Sequence, residues 1–482
     1  MRRLMIPILT VLIASGLLAG CGTNSVQIKQ QNGAMSAALS ITDTPPAGVT
    51  ILAFEINVTG ASLQPSDTTK PPFQLLNHPV EVELEELETE TRFLNAANAP
   101  DGTYSSITLT FANPQLTILN QTGAPITAGS QSCSNGQICE FKPGLNQSSV
   151  TVSSAPFPLM LSHANPMGLV LDFNVDSSVQ NNLTITPTVT LTATAAHARE
   201  VEGGDGENEF EDVEDVEGVV QTVGSNSFVL QSLESGQTST INVDSNTQFE
   251  GFNEVGCAAN NFSCLKAGQV VEVEDLHVMT TGAMVAGKIH LDEDVNEDQL
   301  KGKVVAVNAA MNQFQIVIHD EEPDVAGVNL GDPVTITINP GAAFSIQTDG
   351  LSGNLPAGAM FASVNDLLVG QEVKVRPVMV SAGPPVMVST DHVALDLSQF
   401  TATVAGVSAP NFTVNNLPTL FTSNGITQVQ VQTSSATEFE GVSGVSGLAA
   451  GNIVSLRGLL FKTAGDPILA AKKVRDRSAV SH

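Results

Sequence analysis

Short runs in which apolar and polar residues alternate recur along most of the chain. Phe54, Ile56 and Val58 fall on one side of such a run with Glu55 and Asn57 between them. Val80, Val82 and Leu84 alternate with glutamates, and Ile107, Leu109 and Phe111 alternate with Thr108 and Thr110. Successive side chains of a strand point to opposite faces, so each run predicts a strand that buries one face. Ile185, Val189 and Leu191 mark a further, Thr-rich strand, and Pro187 inside it predicts an edge position because proline cannot donate to a ladder. Two antiparallel sheets packed face to face cover such faces most simply. A β-sandwich of immunoglobulin or transthyretin type is therefore predicted over 35–198.

The second half of the chain repeats itself. Leu265, Gly268, Val271 and Val273 are matched by Leu367, Gly370, Val373 and Val375, and again by Leu448, Gly451, Val454 and Leu456. The glycine of this Leu-x-x-Gly-x-x-Val pattern suits a tight turn into a strand with alternate residues buried. Each copy is preceded by a strand carrying Phe228, Phe314 or Phe412 and then by a second aromatic, Phe249, Phe344 or Phe439. Each ends in a strand with Ile289, Val393 or Val474, just after Lys288, His392 or Lys473, and the first and third copies share Thr-x-Phe-Glu-Gly. A period of about 75–100 residues is too long for a solenoid and fits a small independent barrel. With about five strands per copy, three OB-like barrels are predicted, at 218–294, 299–396 and 398–477, with the repeated phenylalanines in their cores. The fold class is all-β: an N-terminal sandwich, then three small five-stranded OB-like β-barrels laid out as beads on a string.

The segment before the sandwich has a different character. Arg2 and Arg3 precede an apolar run from Leu4 to Leu18, followed by Ala19, Gly20 and Cys21. This segment resembles a bacterial lipoprotein signal with its lipobox. The resemblance implies a signal over 1–21, a diacylglycerol on Cys21, and export to the periplasmic face of the outer membrane or the cell surface. Several acyl chains hold a soluble domain on a membrane at about 0.8 kcal/mol per buried methylene. Residues 22–34 then form a tether.

The other four cysteines come as close pairs, Cys133 with Cys139 and Cys257 with Cys264. In an oxidising space this spacing suits two local disulfides that pin loops, although four cysteines allow three connectivities. Neither pair has the two-residue gap of a zinc knuckle, and no histidine is near.

A formal net charge of -30, with no Trp and a single Tyr, counts against nucleic acid as a partner and weakens a sugar-stacking face. Part of that charge is concentrated at 199–217, where acidic residues broken by glycines predict an extended linker. Asp205, Glu207, Glu209, Glu211 and Asp212 are candidate calcium ligands, since calcium takes hard oxygen donors, but their spacing is not that of an EF-hand loop.

Two further resemblances follow from motifs. Leu39 to Pro45 with its Asp43-Thr-Pro45, Asp101-Gly-Thr-Tyr104 and Val170-Leu-Asp-Phe173 resemble a domain of unknown function found in bacterial lipoproteins. The barrels resemble another uncharacterised bacterial domain with a Gly-x-Val opening, a Thr-x-Phe-x-Gly centre and the Leu-x-x-Gly-x-x-Val turn. Neither resemblance implies an activity.

No Gly-x-Ser-x-Gly elbow, His-Glu-x-x-His, P-loop or Gly-x-Gly-x-x-Gly is present. His290 with Asp292, Glu293 and Asp294 is the nearest mixed cluster, and a strand end running into an acidic linker accounts for it. The sequence thus predicts a lipid-anchored, non-catalytic binding or scaffolding module of the cell envelope, with no cofactor apart from calcium at the linker. An envelope protein or glycan is the expected partner, and the alternatives are a glycan- or calcium-binding surface protein and, after it, an envelope-polymer hydrolase.

Overall fold

A computed structural model describes Ser36 to Ser478, apart from residues 45–49, 77, 90, 129–130, 181–182, 196–215, 234–235, 253–255, 280–282, 292–298, 323–324, 349, 382 and 384. The regular structure of the described chain is almost all strand, with two short helices and a few 3₁₀ turns.

The first domain is a sandwich. One sheet is built on the long antiparallel pair Thr50–Pro65 and Gly102–Leu119. Phe73–Leu76 and Val80–Glu83 line its first strand, and Ile138–Phe141, Ser149–Val152 and Leu159–Leu161 line its second. The other sheet runs Val189–Ala195, Met167–Asn174, Ala37–Thr44, Arg92–Ala97. Two details differ from the sequence expectation. The opening strand pairs in parallel with Met167–Asn174, so this sheet is mixed rather than antiparallel. Pro187 and Ile185 lie before the last strand, which begins at Val189 and is an edge strand. Ile185 instead bridges Leu145 and Val179, because a proline two residues on interrupts the ladder. Between the sheets Phe173 meets Phe54 and Phe111 edge-on, with ring centroids 5.8 and 5.6 Å apart.

Three closed barrels follow, all with one strand order. In the first, Val216–Val223 pairs with Ser227–Ser232 and Val270–Val278, and the third strand, Thr238–Asn242, closes the barrel by pairing in parallel with the fifth, Met284–Leu291. The second barrel uses Gln299–Asn308, Gln313–Glu322, Pro333–Ile346, Glu372–Ser381 and the start of Val386–Ser408. The third uses the end of that same strand, then Asn411–Asn415, Val429–Gln432, Ile453–Phe461 and Ile468–Asp476. Phe228, Phe314 and Phe412 are buried in the three cores, as expected. Gly268, Gly370 and Gly451 all have positive φ, at 87, 85 and 97°, which explains the recurrence of glycine in the turn.

The barrels are not beads on a string. Val386–Ser408 is one continuous strand of 23 residues: Leu395 pairs with Val373 in the second barrel and Leu397 with Leu459 in the third. The expected boundary near residue 397 is thus the point where one strand passes between barrels. The sandwich is also docked on both faces. Ala37, Leu39 and Ile41 fill its core while Ala38, with Phe93 and Ala96, packs on the first barrel. Leu52 and Ala53 leave the sandwich core to pack with Val305 and Val317 of the second barrel and with Val369 and Leu420.

Candidate functional site

The shared motif Thr-x-Phe-Glu-Gly is a clip onto the final strand of a barrel. Thr247 Oγ1 donates to the Ala286 carbonyl at 2.8 Å, and Thr437 Oγ1 to the Ala471 carbonyl at 2.7 Å. Glu250 lies 3.6 Å from Lys288, and Glu440 3.3 Å from Lys473 and 2.8 Å from Arg475. The closing Gly251 and Gly441 have φ of 82 and 75°, and a Cβ at either would press on a last-strand carbonyl at 2.9 or 2.8 Å. The second barrel lacks the glutamate and the lysine, and there Ser345 Oγ and His392 Nε2, 2.8 Å apart, take their place. These positions therefore hold barrels closed.

The densest chemistry lies where the sandwich meets the second and third barrels. After the strand Val80–Glu83 the chain makes a 3₁₀ turn, Leu84–Leu87, capped by Glu83, whose carboxylate accepts from the Glu86 N–H at 2.9 Å and the Phe54 N–H at 2.6 Å. The turn leaves Glu83, Glu85, Glu86 and Glu88 all buried. Glu86 Oε1 receives the Lys301 ammonium at 2.8 Å and lies 3.8 Å from His319 Nδ1. Glu372 Oε1 lies 3.4 Å from the same ring nitrogen and 3.6 Å from Lys303 Nζ. His319 Nε2 donates to the Leu52 carbonyl at 2.7 Å, because a carbonyl can only accept. From the third barrel Thr401 donates to Glu88 Oε2 at 2.8 Å, Gln399 donates to the Glu85 carbonyl at 3.1 Å and accepts from Thr89, and the Arg477 guanidinium donates to the Glu88 carbonyl.

Burial dictates the charge states here. Burial and the neighbouring Glu88 raise Glu85 to about 8, against the pull of Lys303. Burial likewise raises Glu372 to about 8, and neither of its oxygens has a hydrogen-bond partner among the described residues. Burial would also raise Glu86, but Lys301 and His319 overcome it and hold the carboxyl near 2. Burial and then Lys303 depress His319 to about 3, so the ring is neutral with Nδ1 as the acceptor facing Glu372. A neutral His and a neutral Glu beside a Glu–Lys ion pair, with the Lys303 ammonium 3.6 Å from Glu372, form a buried polar cluster that joins domains.

A second contact lies nearby. Glu55 accepts from Gln115 at 2.7 Å, and Thr117 donates to the carbonyl of Gly331 in the second barrel at 2.8 Å. Burial, with Glu81 next in weight, raises Glu55 to about 8.

The residues singled out by sequence are placed elsewhere. Cys133–Cys139 and Cys257–Cys264 form two disulfides, each spanning a local loop. Cys21, the acidic set Asp205, Glu207, Glu209, Glu211 and Asp212, and Asp292 to Asp294 lie outside the described residues. Among the described residues no three His, Cys, Asp or Glu side chains are grouped to hold a metal ion. His290 lies 3.8 Å from Glu250, beside the first-barrel clip. Glu83 and Glu85 were missed because alternation with Val80, Val82 and Leu84 assigns them to an open face, and Glu86 and Glu88 because nothing local marks a glutamate for burial. Their burial depends on partners more than 200 residues away.

Residues 36–191 match the family described as Domain of unknown function (DUF4382), and residues 217–290 and 401–463 match Domain of unknown function (DUF5666). The matched ranges leave out the middle barrel, in which the Thr-x-Phe-Glu-Gly clip is replaced. No curated protein matches. A solved structure titled "drosophila Unr CSD456" is similar at 10% identity with a TM-score of 0.12, over 55% of this chain and 98% of that one. The chain thus carries one region that matches DUF4382 and two that match DUF5666, consistent with an uncharacterised two-domain family with a repeated second domain.

Proposed function

We propose that the protein is a non-catalytic binding or scaffolding module, exported and held at a bacterial cell envelope by lipid on Cys21, on the periplasmic face of the outer membrane or the cell surface. The basic and apolar residues before Cys21 support the anchor, and the two local disulfides suit an oxidising compartment. One observation carries the binding role. The side chains best suited to acid–base chemistry, Glu86, His319 and Glu372, are buried between domains and engaged with one another and with Lys301, Lys303 and the Leu52 carbonyl. They hold the sandwich and barrels together as a platform, leaving the outer barrel surfaces to recognise an envelope protein or glycan.

The test is a pull-down from envelope extracts with the chain from Gly22 onward, with and without calcium. A specific protein or glycan retained is expected, and calcium dependence would bring in the acidic set around Asp205. Empty eluates under both conditions would overturn the binding role. Anchoring is tested separately: Cys21→Ala is expected to release the protein from the membrane fraction, and persistence there would contradict it.

A further inference from the structure

The third barrel carries a surface groove of about 460 Å³ between its first three strands and the start of its last. Val407, Ser408, Asn411, Gln430, Gln432 and Ile468 are among its ten lining residues, none of which is ionisable. The groove therefore brings no charge of its own to a ligand. Val407 is 40% exposed and, with Ile468, gives the groove an apolar wall. The polar groups around it are available. Among the described residues, the side chains of Ser408, Gln430 and Gln432 make no hydrogen bond within the protein. Asn411 is steadied through its Oδ1, which accepts from the Thr433 N–H at 3.3 Å, leaving its NH₂ group directed to other partners.

The three barrels provide an internal control. Phe412 pairs with Val431 as Phe228 pairs with Ile241 and Phe314 with Ile336, so Gln432, Asn242 and Thr337 occupy one structural position. Asn242 Nδ2 is engaged with the Met284 carbonyl at 2.9 Å, and Thr337 Oγ1 accepts from Gln313 at 3.0 Å. Only in the third barrel is this position left without a protein partner among the described residues. An amide offers both a donor and an acceptor, the pairing that a hydroxyl also presents.

We infer that the third-barrel groove binds a neutral oligosaccharide, its hydroxyls paired with Gln430, Gln432, Ser408 and Asn411 and its C–H faces against Val407 and Ile468. This deepens the binding role proposed above and rests on it. An ionic ligand would find no counter-charge in the groove. An added peptide strand would find no free edge there, since Asn411–Asn415 is paired on both sides. The one aromatic in its lining, Phe412, is buried in the barrel core and gives no stacking platform, so affinity is expected to be weak, with Kd about millimolar.

The experiment is calorimetric titration of the full chain with maltohexaose, cellohexaose and the N-acetylglucosamine hexamer, with hexagalacturonate as an acidic counter-probe. Saturable binding of at least one neutral probe is expected, weakened about tenfold or more in the Gln430→Ala/Gln432→Ala double variant. That variant should keep the parent melting temperature, because neither amide bonds to the protein. No binding of any neutral hexamer at millimolar concentration, unchanged binding in the double variant, or preference for the acidic probe would each overturn the inference. A null titration alongside a protein retained in the pull-down would reject the sugar while leaving the binding role intact. Two null results would reject both.

Discussion

Phe421 lies across the turn glycine Gly370, so close that a Cβ on Gly370 would overlap the phenyl ring. The two belong to different barrels: Gly370 ends the Leu-x-x-Gly turn of the second, and Phe421 sits on a short helix of the third, Thr419–Ser423, with its ring 5.0 Å from that of Phe400. Gly268 and Gly451 occupy the same turn in their own barrels and face open space. Gly268→Ala and Gly451→Ala are therefore expected to cost about 1–2 kcal/mol for the positive φ alone. Gly370→Ala should cost clearly more, about 3 kcal/mol or above, through added overpacking. Denaturant unfolding of the three variants measures this, and equal losses would show that the interbarrel contact is absent.

Stability is expected to peak on the acid side of neutrality. Glu55, Glu85 and Glu372 are raised to about 8 from 4.5, so between those values the folded state holds protons the unfolded chain has lost, and stability falls as pH rises. His319 is depressed to about 3 from 6.5, so unfolding takes up a proton below 6.5 and stability falls as pH drops through that range. Glu86, held near 2, adds a loss below 4.5. Three groups against one favour acidification until about pH 5, after which His319 and Glu86 reverse the trend. Melting temperatures of the full chain across pH should show that maximum. Glu372→Gln, which fixes the neutral form, should flatten the alkaline limb. A midpoint rising steadily from pH 5 to 8 would contradict these charge states.

The disulfides should act locally. Each closes a loop with a sequence separation of 6 or 7, worth about 2 kcal/mol by chain entropy. Replacing Cys257 and Cys264 together by Ser is expected to lower the unfolding free energy by about that amount, read by urea denaturation. A loss near zero would mean that the loop is held by its other contacts.

The clip threonines give a paired test. Thr247→Val and Thr437→Val keep the side-chain shape but delete both the hydrogen bond donated to the last-strand Ala286 or Ala471 carbonyl and the one accepted from the Asp244 or Ser434 N–H. Each should cost about 1–2 kcal/mol, measured by thermal unfolding. Neutral substitutions would remove the structural account of the motif.

Local chemistry was legible in the sequence and interdomain chemistry was not. Period-two alternation located the strands carrying Phe54, Ile107 and Phe228. The turn glycines could be read because a positive φ is a local demand that glycine meets most easily. Cysteine spacing favoured the two local pairings among the three that four cysteines allow, and the structure has those two. The same alternation assigned Glu55, Glu83 and Glu85 to an open face, and only Arg92 among nearby residues adds a cation beside Glu86. Lys301, Lys303 and His319 reach them through tertiary packing. The parallel pairing of Ala37 with Met167 was hidden for the same reason, as register between distant strands leaves no local mark. A continuous Val386–Ser408 could not be separated from two strands, because the pattern on both sides of residue 397 is that of a strand.

Buried charges lock the sandwich to the second barrel, and a double-mutant cycle on Glu86 and Lys301 reads the strength of that lock. Glu86→Gln, Lys301→Met and the double variant would be unfolded in denaturant as full chains. Each single change leaves a buried partner charge unpaired and should cost about 3–5 kcal/mol, whereas the double variant should lose less than their sum by about 2 kcal/mol or more. Additive losses, with no coupling between the two positions, would contradict the claim.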